Sequence, residues 1–336
     1  MDAVAVAPQP VVTSEIRLQD LTFPILKRRC EMRFSVHAPL GVITPNEFQT
    51  MDAVRAIASA FESAGIDACY LTDHPAPSAE WLHANGHDAL DPFTALGFLA
   101  AASTTLQLMT FVVVIPYRNP FITAKAAATL QVLSGGRLIM GAGTGYQRAE
   151  FEALGVDPQE RGVLFDEALE AIRLAWKGGA VVKKGRTFNA IGNEPRPVPC
   201  PTPPIWIGGS TLKAVRRAAR WGDGWLPVFS APNLSKVNQE TFIQSEEELR
   251  DKIILLKELR EEAGRTGPFE IGMATRRNPE IGRVDGAERY LEALGSLSDA
   301  GVTWGVVDLP HPDLATFLEN VQWFGEEVIA RLSRPS

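Results

Sequence analysis

Pro204-Ile205-Trp206-Ile207-Gly208-Gly209-Ser210-Thr211 is a short apolar run that stops at two glycines and a Ser-Thr pair. A basic helical pattern begins at once behind it, with Lys213, Arg216, Arg217 and Arg220 leading to Trp225. This order predicts a β-strand that turns through glycines into a helix N-terminus. Such a turn is suited to an anion: the first helical N–H groups have no intrahelical acceptor, the helix dipole is positive there, and glycine lets a ligand come close to the backbone. Ser210 or Thr211 either caps the helix or hydrogen-bonds a phosphate oxygen. The plainer reading of the same residues is an ordinary βα turn with a hydroxyl cap.

The unit recurs along the chain. Ser63-Ala64-Gly65-Ile66-Asp67 and Asp299-Ala300-Gly301-Val302-Thr303 each read as a helix end, a glycine in the left-handed region, then a strand. Leu133-Ser134-Gly135-Gly136-Arg137 and Trp221-Gly222-Asp223-Gly224-Trp225 vary the device. Apolar runs predict strands at 32–36, 66–72, 106–115, 137–140, 204–207, 224–228, 269–273 and 302–309, with a small hairpin over 181–188. Helical spacing fills 45–64, the stretch from Asp91-Pro92, 121–133, 163–177, 245–263, 287–300 and 314–332. The fold class expected is α/β. Eight alternations point to a closed (β/α)8 TIM barrel, with loop insertions at the C-terminal face, over an open doubly wound sheet. The 336 residues suit one such domain at 31–333, behind a proline-bearing N-terminal arm at 1–30.

Composition excludes several classes. The formal net charge of −7 argues against nucleic-acid and membrane-surface binding. Cys30, Cys69 and Cys200 are scattered and odd in number, which fits a reducing cytoplasm and neither a disulfide framework nor a zinc site. The apolar start lacks a basic region, and no run is long enough to span a bilayer. No GxSxG elbow is present. His83 with Asp88, or His87 with Asp91, lacks a third ligand, so no metal is expected.

Active sites of such barrels lie at the C-terminal ends of the strands. That rule selects His37, Asp73, His74, the run 110–116, Gly143 to Tyr146, Gly208 to Thr211, and the ends of the last strands. His74 beside Asp73 reads as a general acid or base, as a donor to a cofactor ring, or as a histidine that a carboxylate merely holds. His37 is the weaker candidate. His83, His87 and His311 read as loop histidines. Gly141-Ala142-Gly143-Thr144-Gly145 fails the dinucleotide fingerprint, because Tyr146 stands where GxGxxG needs its last glycine. A glycine-lined loop beside a flat ring or phosphate remains open.

Further motifs carry a resemblance. Pro116-Tyr117-Arg118-Asn119-Pro120, Leu133-Ser134-Gly135-Gly136-Arg137-Leu138, Gly141 to Gly145, Glu150-Phe151-Glu152-Ala153-Leu154-Gly155, Pro203 to Ser210 and Arg217 to Trp225 closely resemble the bacterial-luciferase-like flavin and deazaflavin oxidoreductases. The subgroup is the one usually labelled coenzyme F420-dependent, and the likeness spans about residues 32–330. It implies a (β/α)8 barrel, a homodimer and a cofactor lying across the C-terminal mouth. It further implies that Asp73 and His74 touch the ring, and that a bulge at Thr110, Phe111 and Val112 backs it, often with a non-prolyl cis peptide. Gly143, Thr144, Gly145 and Tyr146 would flank the ribityl chain, and Gly208, Gly209, Ser210 and Thr211 would hold the phosphate. Two departures stand out. Tyr146 occupies the place of a glutamate proton donor in related sugar-phosphate dehydrogenases, and Phe111 is bulky where a small polar residue is common.

The function expected is hydride transfer between F420 and a small organic substrate, with His74, or behind it His37 or Tyr146, managing the proton. The alternative is an FMN-dependent monooxygenase using O2, with a flavin or F420 reductase supplying reduced cofactor. From another class, the chain would be a non-catalytic flavin- or ligand-binding barrel.

Overall fold

The structure, a computed structural model, describes residues 32–41, 46–84, 86–230 and 241–332. The expected N-terminal arm at 1–30 lies outside these residues, as does 231–240 of the variable loop after the sixth barrel strand. In chain order the elements are β1 Arg33–His37, α1 Met51–Ala64, β2 Ala68–Leu71, α2 Ala79–His83, α3 Pro92–Ala102, β3 Gln107–Val114, α4 Pro120–Leu133, β4 Leu138–Gly143, α5 Arg148–Ala153, α6 Arg161–Lys177, β5 Val181–Lys184, β6 Asn189–Asn193, β7 Ile205–Gly208, α7 Leu212–Trp221, β8 Gly224–Leu226, α8 Glu246–Glu262, β9 Glu270–Met273, α9 Gly286–Ala300, β10 Trp304–Val307 and α10 Leu314–Phe324.

Polar side chains ahead of the apolar runs fix where helices start. Thr50, Ser78, Asp91, Asn119, Thr211, Ser245 and Asp313 each accept a first-turn backbone N–H with the side-chain oxygen. Pro92 and Pro120 open their helices, where a missing N–H costs nothing. The repeated device takes its expected form: Gly65 (φ 77°) and Gly301 (φ 101°) close α1 and α9 in the left-handed region.

Eight strands pair in parallel around a closed barrel in the order β1, β10, β9, β8, β7, β4, β3, β2, with β2 returning to β1. β5 and β6 form a separate antiparallel hairpin. The main core lies between strands and helices and includes Phe34, Ile57, Phe61, Leu96, Phe165, Phe317 and Phe324. A second, smaller core fills the barrel with Tyr70, Met109, Ile139, Trp206, Leu226, Trp304 and Val306, and Phe111 and Val112 pack against it. At the N-terminal end of the barrel, Arg33 lies over the Trp304 ring at 4.4 Å and pairs with Glu270. Among the described residues, no helix is long and apolar enough to cross a membrane.

Three elements differ from the sequence expectation. β4 runs on through Gly143, so Gly141 to Gly143 is strand. Flanking β3 and β7 supply the pairing that overrides glycine's poor strand preference. The polar stretch 77–90 contains α2, which Ser78 caps. α5 at Arg148–Ala153 is a helix that the sequence spacing did not mark, whereas α7 stops at Trp221 as the Trp221-Gly222 device expects, with Gly222 extended rather than left-handed.

Glu62, near the end of α1, ties that helix to the turn before β3. Its Oε1 accepts from the Ser103 and Thr105 hydroxyls, both at 2.7 Å, and from the Thr104 and Thr105 N–H groups at 3.0 and 2.9 Å. Burial alone would raise this carboxyl, but the four donors outweigh it and bring the pKa down to about 2. A depressed carboxylate stabilises the fold fully above its unfolded value of 4.5, and the contribution is lost as pH falls toward about 2. Glu62→Gln is therefore expected to lower the unfolding free energy by about 1 kcal/mol at pH 7, the low end for a solvent-accessible charged acceptor. In urea titrations the gap to the parent should close between pH 4.5 and about 2. A gap independent of pH would refute the role.

Candidate active site

The C-terminal end of the barrel is shaped first by how closely β3 and β4 approach. Thr110 is buried, and its hydroxyl donates to the Gly141 carbonyl at 2.7 Å. A Cβ on Gly141 would sit 2.0 Å from the Thr110 backbone carbonyl oxygen, so only glycine permits this crossing. The register then shifts between Thr110 and Val113, and the Phe111–Val112 peptide within this bulge is cis. Phe111 and Val112 are left half-buried on top of the interior core. The Phe111 ring lies 4.9 Å from that of Tyr70, and the Tyr70 ring 5.3 Å from His37. These aromatic surfaces form a floor suited to a flat ring.

Asp73 is buried and both its oxygens are engaged. Oδ2 accepts from Val114 N–H at 2.9 Å and Oδ1 from Arg118 at 2.7 Å. Burial raises its pKa, against the opposing pull of Arg118. Arg118 also pairs with Asp91 at 3.0 Å, so Asp73 and Asp91 pin the loop after β2 to the end of β3 and the head of α3.

His74 points the other way into a polar cluster. Its Nδ1 lies 3.3 Å from Glu150 Oε2 and 3.0 Å from the Gln147 amide. Glu150 is buried, and it also accepts from Ala76 N–H at 3.3 Å and Tyr117 OH at 3.2 Å. Trp81, His87 and Tyr146 surround the imidazole, with ring centroids at 4.6, 4.9 and 6.1 Å. Nδ1 donates to Glu150 when it carries the proton and accepts from the Gln147 amide when it does not, and in either tautomer Nε2 is the edge with no partner among the described residues. That is the arrangement of a positioned proton donor or acceptor. His87 hydrogen-bonds Thr72 at 3.0 Å and is lowered to about 4, first by desolvation and then by the neighbouring His74 and His37.

His37 stands at the adjacent strand end, with Nδ1 3.3 Å from Asp308 Oδ1. Of the glycine loop, Thr144 and Gly145 are half-buried and Tyr146 is 55% exposed.

The loop Gly208 to Thr211 is tied down by donors from β8 and α8. Trp225 Nε1 donates to the Gly209 carbonyl and Lys252 Nζ to the Ser210 carbonyl, both at 2.7 Å. In a trans peptide the N–H points opposite to the C=O, so the N–H groups of Ser210 and Thr211 are turned away from those donors. The Ser210 hydroxyl is committed to Val228, accepting its N–H at 2.9 Å and donating to its carbonyl at 3.1 Å. Thr211 caps α7 through Ala214 N–H at 3.2 Å. Backbone N–H groups, rather than the two hydroxyls, are what this loop offers an anion.

Sequence reasoning assigned no role to Glu150, Tyr117, Arg118, Trp81, Tyr70 or Asp308. Glu150, Tyr117 and Arg118 sit inside quoted motifs, which was the available signal. Asp308 stands at the end of the last strand, which the strand-end rule selects, and Trp81 carried no signal.

A family model described as luciferase-like monooxygenase matches residues 32–277. An uncharacterised protein of Mycobacterium tuberculosis is 33% identical over 256 residues, covering 74% of this chain and 80% of that one. An F420-dependent hydroxymycolic acid dehydrogenase of the same organism is 30% identical over 190 residues, 56% of this chain and 52% of its own. In structure, a monooxygenase from Streptomyces bottropensis superposes with a TM-score of 0.69 at 21% identity, covering 89% of this chain and 99% of that chain.

Replacing Glu150 with Gln tests its hold on His74. Imidazole 15N shifts are expected to show the Nδ1–H form of His74 favoured in the parent, where the carboxylate accepts, and less populated in the variant, with unfolding free energy lower by about 2 kcal/mol. An unchanged tautomer pattern would remove Glu150 from the site.

Proposed function

The chain belongs to the luciferase-like monooxygenase family, and from that membership we propose that it is an F420-dependent oxidoreductase acting on a small organic carbonyl or alcohol. The observation that carries this reading is the tethered loop from Gly208 to Thr211, whose outward N–H groups at the head of α7 suit a phosphate. The relative that uses F420 supports the choice of cofactor. Bound there, the deazaflavin supplies or accepts a hydride. The protein does the rest. Tyr70, Phe111 and Val112 give the ring its floor, and the Ser210 and Thr211 N–H groups hold the phosphate. His74 Nε2 gives or takes the proton at the substrate oxygen, while Glu150 fixes the ring from behind. Trp81 and Tyr146 screen the imidazole from water, which strengthens its interaction with a polar substrate.

A second reading uses the same residues with FMN and O2, and the description of the family favours it. It adds a reductase as partner. In both readings a second copy of the chain completes the assembly.

Leu212 is the first residue of α7 and is 50% exposed, so Leu212→Asp puts a negative charge beside the phosphate position without burying it. An acidic residue there favours the helix itself, so thermal stability should hold or rise. Fluorescence titration of the parent is expected to show F420 binding, weakened about tenfold or more in Leu212→Asp. Riboflavin, which lacks the phosphate, should be indifferent to the change. Binding of FMN alone would select the monooxygenase reading. Binding of neither cofactor would overturn both, and F420 affinity unchanged by the mutation would place the phosphate elsewhere.

A further inference from the structure

One cluster of ligand-type groups at the mouth has no part in the reading above. His37, Asp308 and His311 each place a ligand-type atom within 4.8 Å of the other two. We propose that these three residues form a divalent transition-metal site, of the zinc class, at the C-terminal mouth of the barrel.

The barrel's register creates the cluster. Val36 pairs with Val307 across β1 and β10, so the next residues, His37 and Asp308, leave the barrel side by side. His311 returns over them three residues later. His37 Nδ1 stands 3.3 Å from Asp308 Oδ1. That distance also fits a long hydrogen bond, as between His74 and Glu150. It matches the separation of roughly 3.3–3.6 Å between two ligand atoms that each lie about 2.0–2.2 Å from a tetrahedral ion.

The tautomer of His311 points the same way. Its Nδ1 donates to the Leu309 carbonyl at 2.8 Å and lies 3.7 Å from Asp308 Oδ1, so in the neutral ring Nε2 is the nitrogen with a free lone pair. Anchoring one imidazole nitrogen on a backbone carbonyl is the arrangement that orients metal-bound histidines. Both rings are also held by packing. His37 lies against Tyr70 at 5.3 Å, and His311 lies edge-on to Phe48 and Phe317, each at 6.4 Å. Two imidazoles and one carboxylate suit zinc, cobalt or iron rather than magnesium or calcium, which prefer all-oxygen shells. Asp308 is 53% exposed in its side chain, so an ion bound there keeps a position open to water or to an oxygen of the substrate.

The test uses the untagged, full-length chain, stripped with a chelator and free of any redox cofactor, so that it stands apart from the cofactor titration. Co2+ is the probe. The parent is expected to bind one equivalent with visible ligand-field absorption, and excess Zn2+ should displace it and raise the melting temperature. Asp308→Asn and His311→Gln should each weaken Co2+ at least tenfold, whereas His83→Ala, a histidine outside the cluster, should bind like the parent. Circular dichroism checks that each variant folds, and either of the two suffices. No saturable equivalent in the parent, or equal binding in both cluster variants, would overturn the site.

Discussion

A closed parallel barrel has to fill a narrow interior with side chains, and here tryptophan does much of the filling. Trp206 and Trp304 meet edge to face at 5.3 Å, with Met109, Ile139, Leu226 and Val306 in the same interior core. The strands beside Trp206 must be thin to admit it. A Cβ on Gly224 would lie 2.6 Å from the indole, closer than side-chain carbons approach. With the lower barrel filled, Tyr70 and the bulged Phe111 and Val112 become the floor of the mouth. What binds above therefore rests on the packing below.

The polar parts of the mouth follow a common plan. A buried or half-buried carboxylate accepts hydrogen bonds from a loop and so fixes a neighbouring functional group. Asp73 takes Val114 N–H and Arg118; Glu150 takes Ala76 N–H, Tyr117 and His74; Glu62 does the same on the outer wall for the turn at Ser103 to Thr105. Each is a charge partly or wholly withdrawn from water and repaid by several donors, which keeps a loop in one conformation. A histidine held at Nδ1 has one nitrogen left for chemistry, and its direction is set by the wall rather than by the substrate.

The loop from Gly208 to Thr211 shows the same economy with backbone groups. Trp225 and Lys252 capture two consecutive carbonyls, and the N–H groups that follow them have to face away. The hydroxyls of Ser210 and Thr211 serve the loop's own architecture, one through Val228 and one as the cap of α7.

By itself the sequence determined the alternation of strand and helix, the glycine devices at Gly65 and Gly301, the cap at Asp91, and the strand ends at which His37, His74 and the Gly208–Thr211 turn emerge. These are local matters, governed by side-chain period, capping chemistry and backbone freedom within a few residues. Only the tertiary structure decided what those strand ends meet. His74 and Glu150 are 76 residues apart, Asp73 and Arg118 are 45 apart, and His37 lies at the opposite end of the barrel sequence from Asp308. Closing β2 and β10 onto β1 is what brings the last pair together, and burial is what gives each carboxylate its donors. Neither closure nor burial is written in any short stretch, because both depend on all eight strands being in place at once.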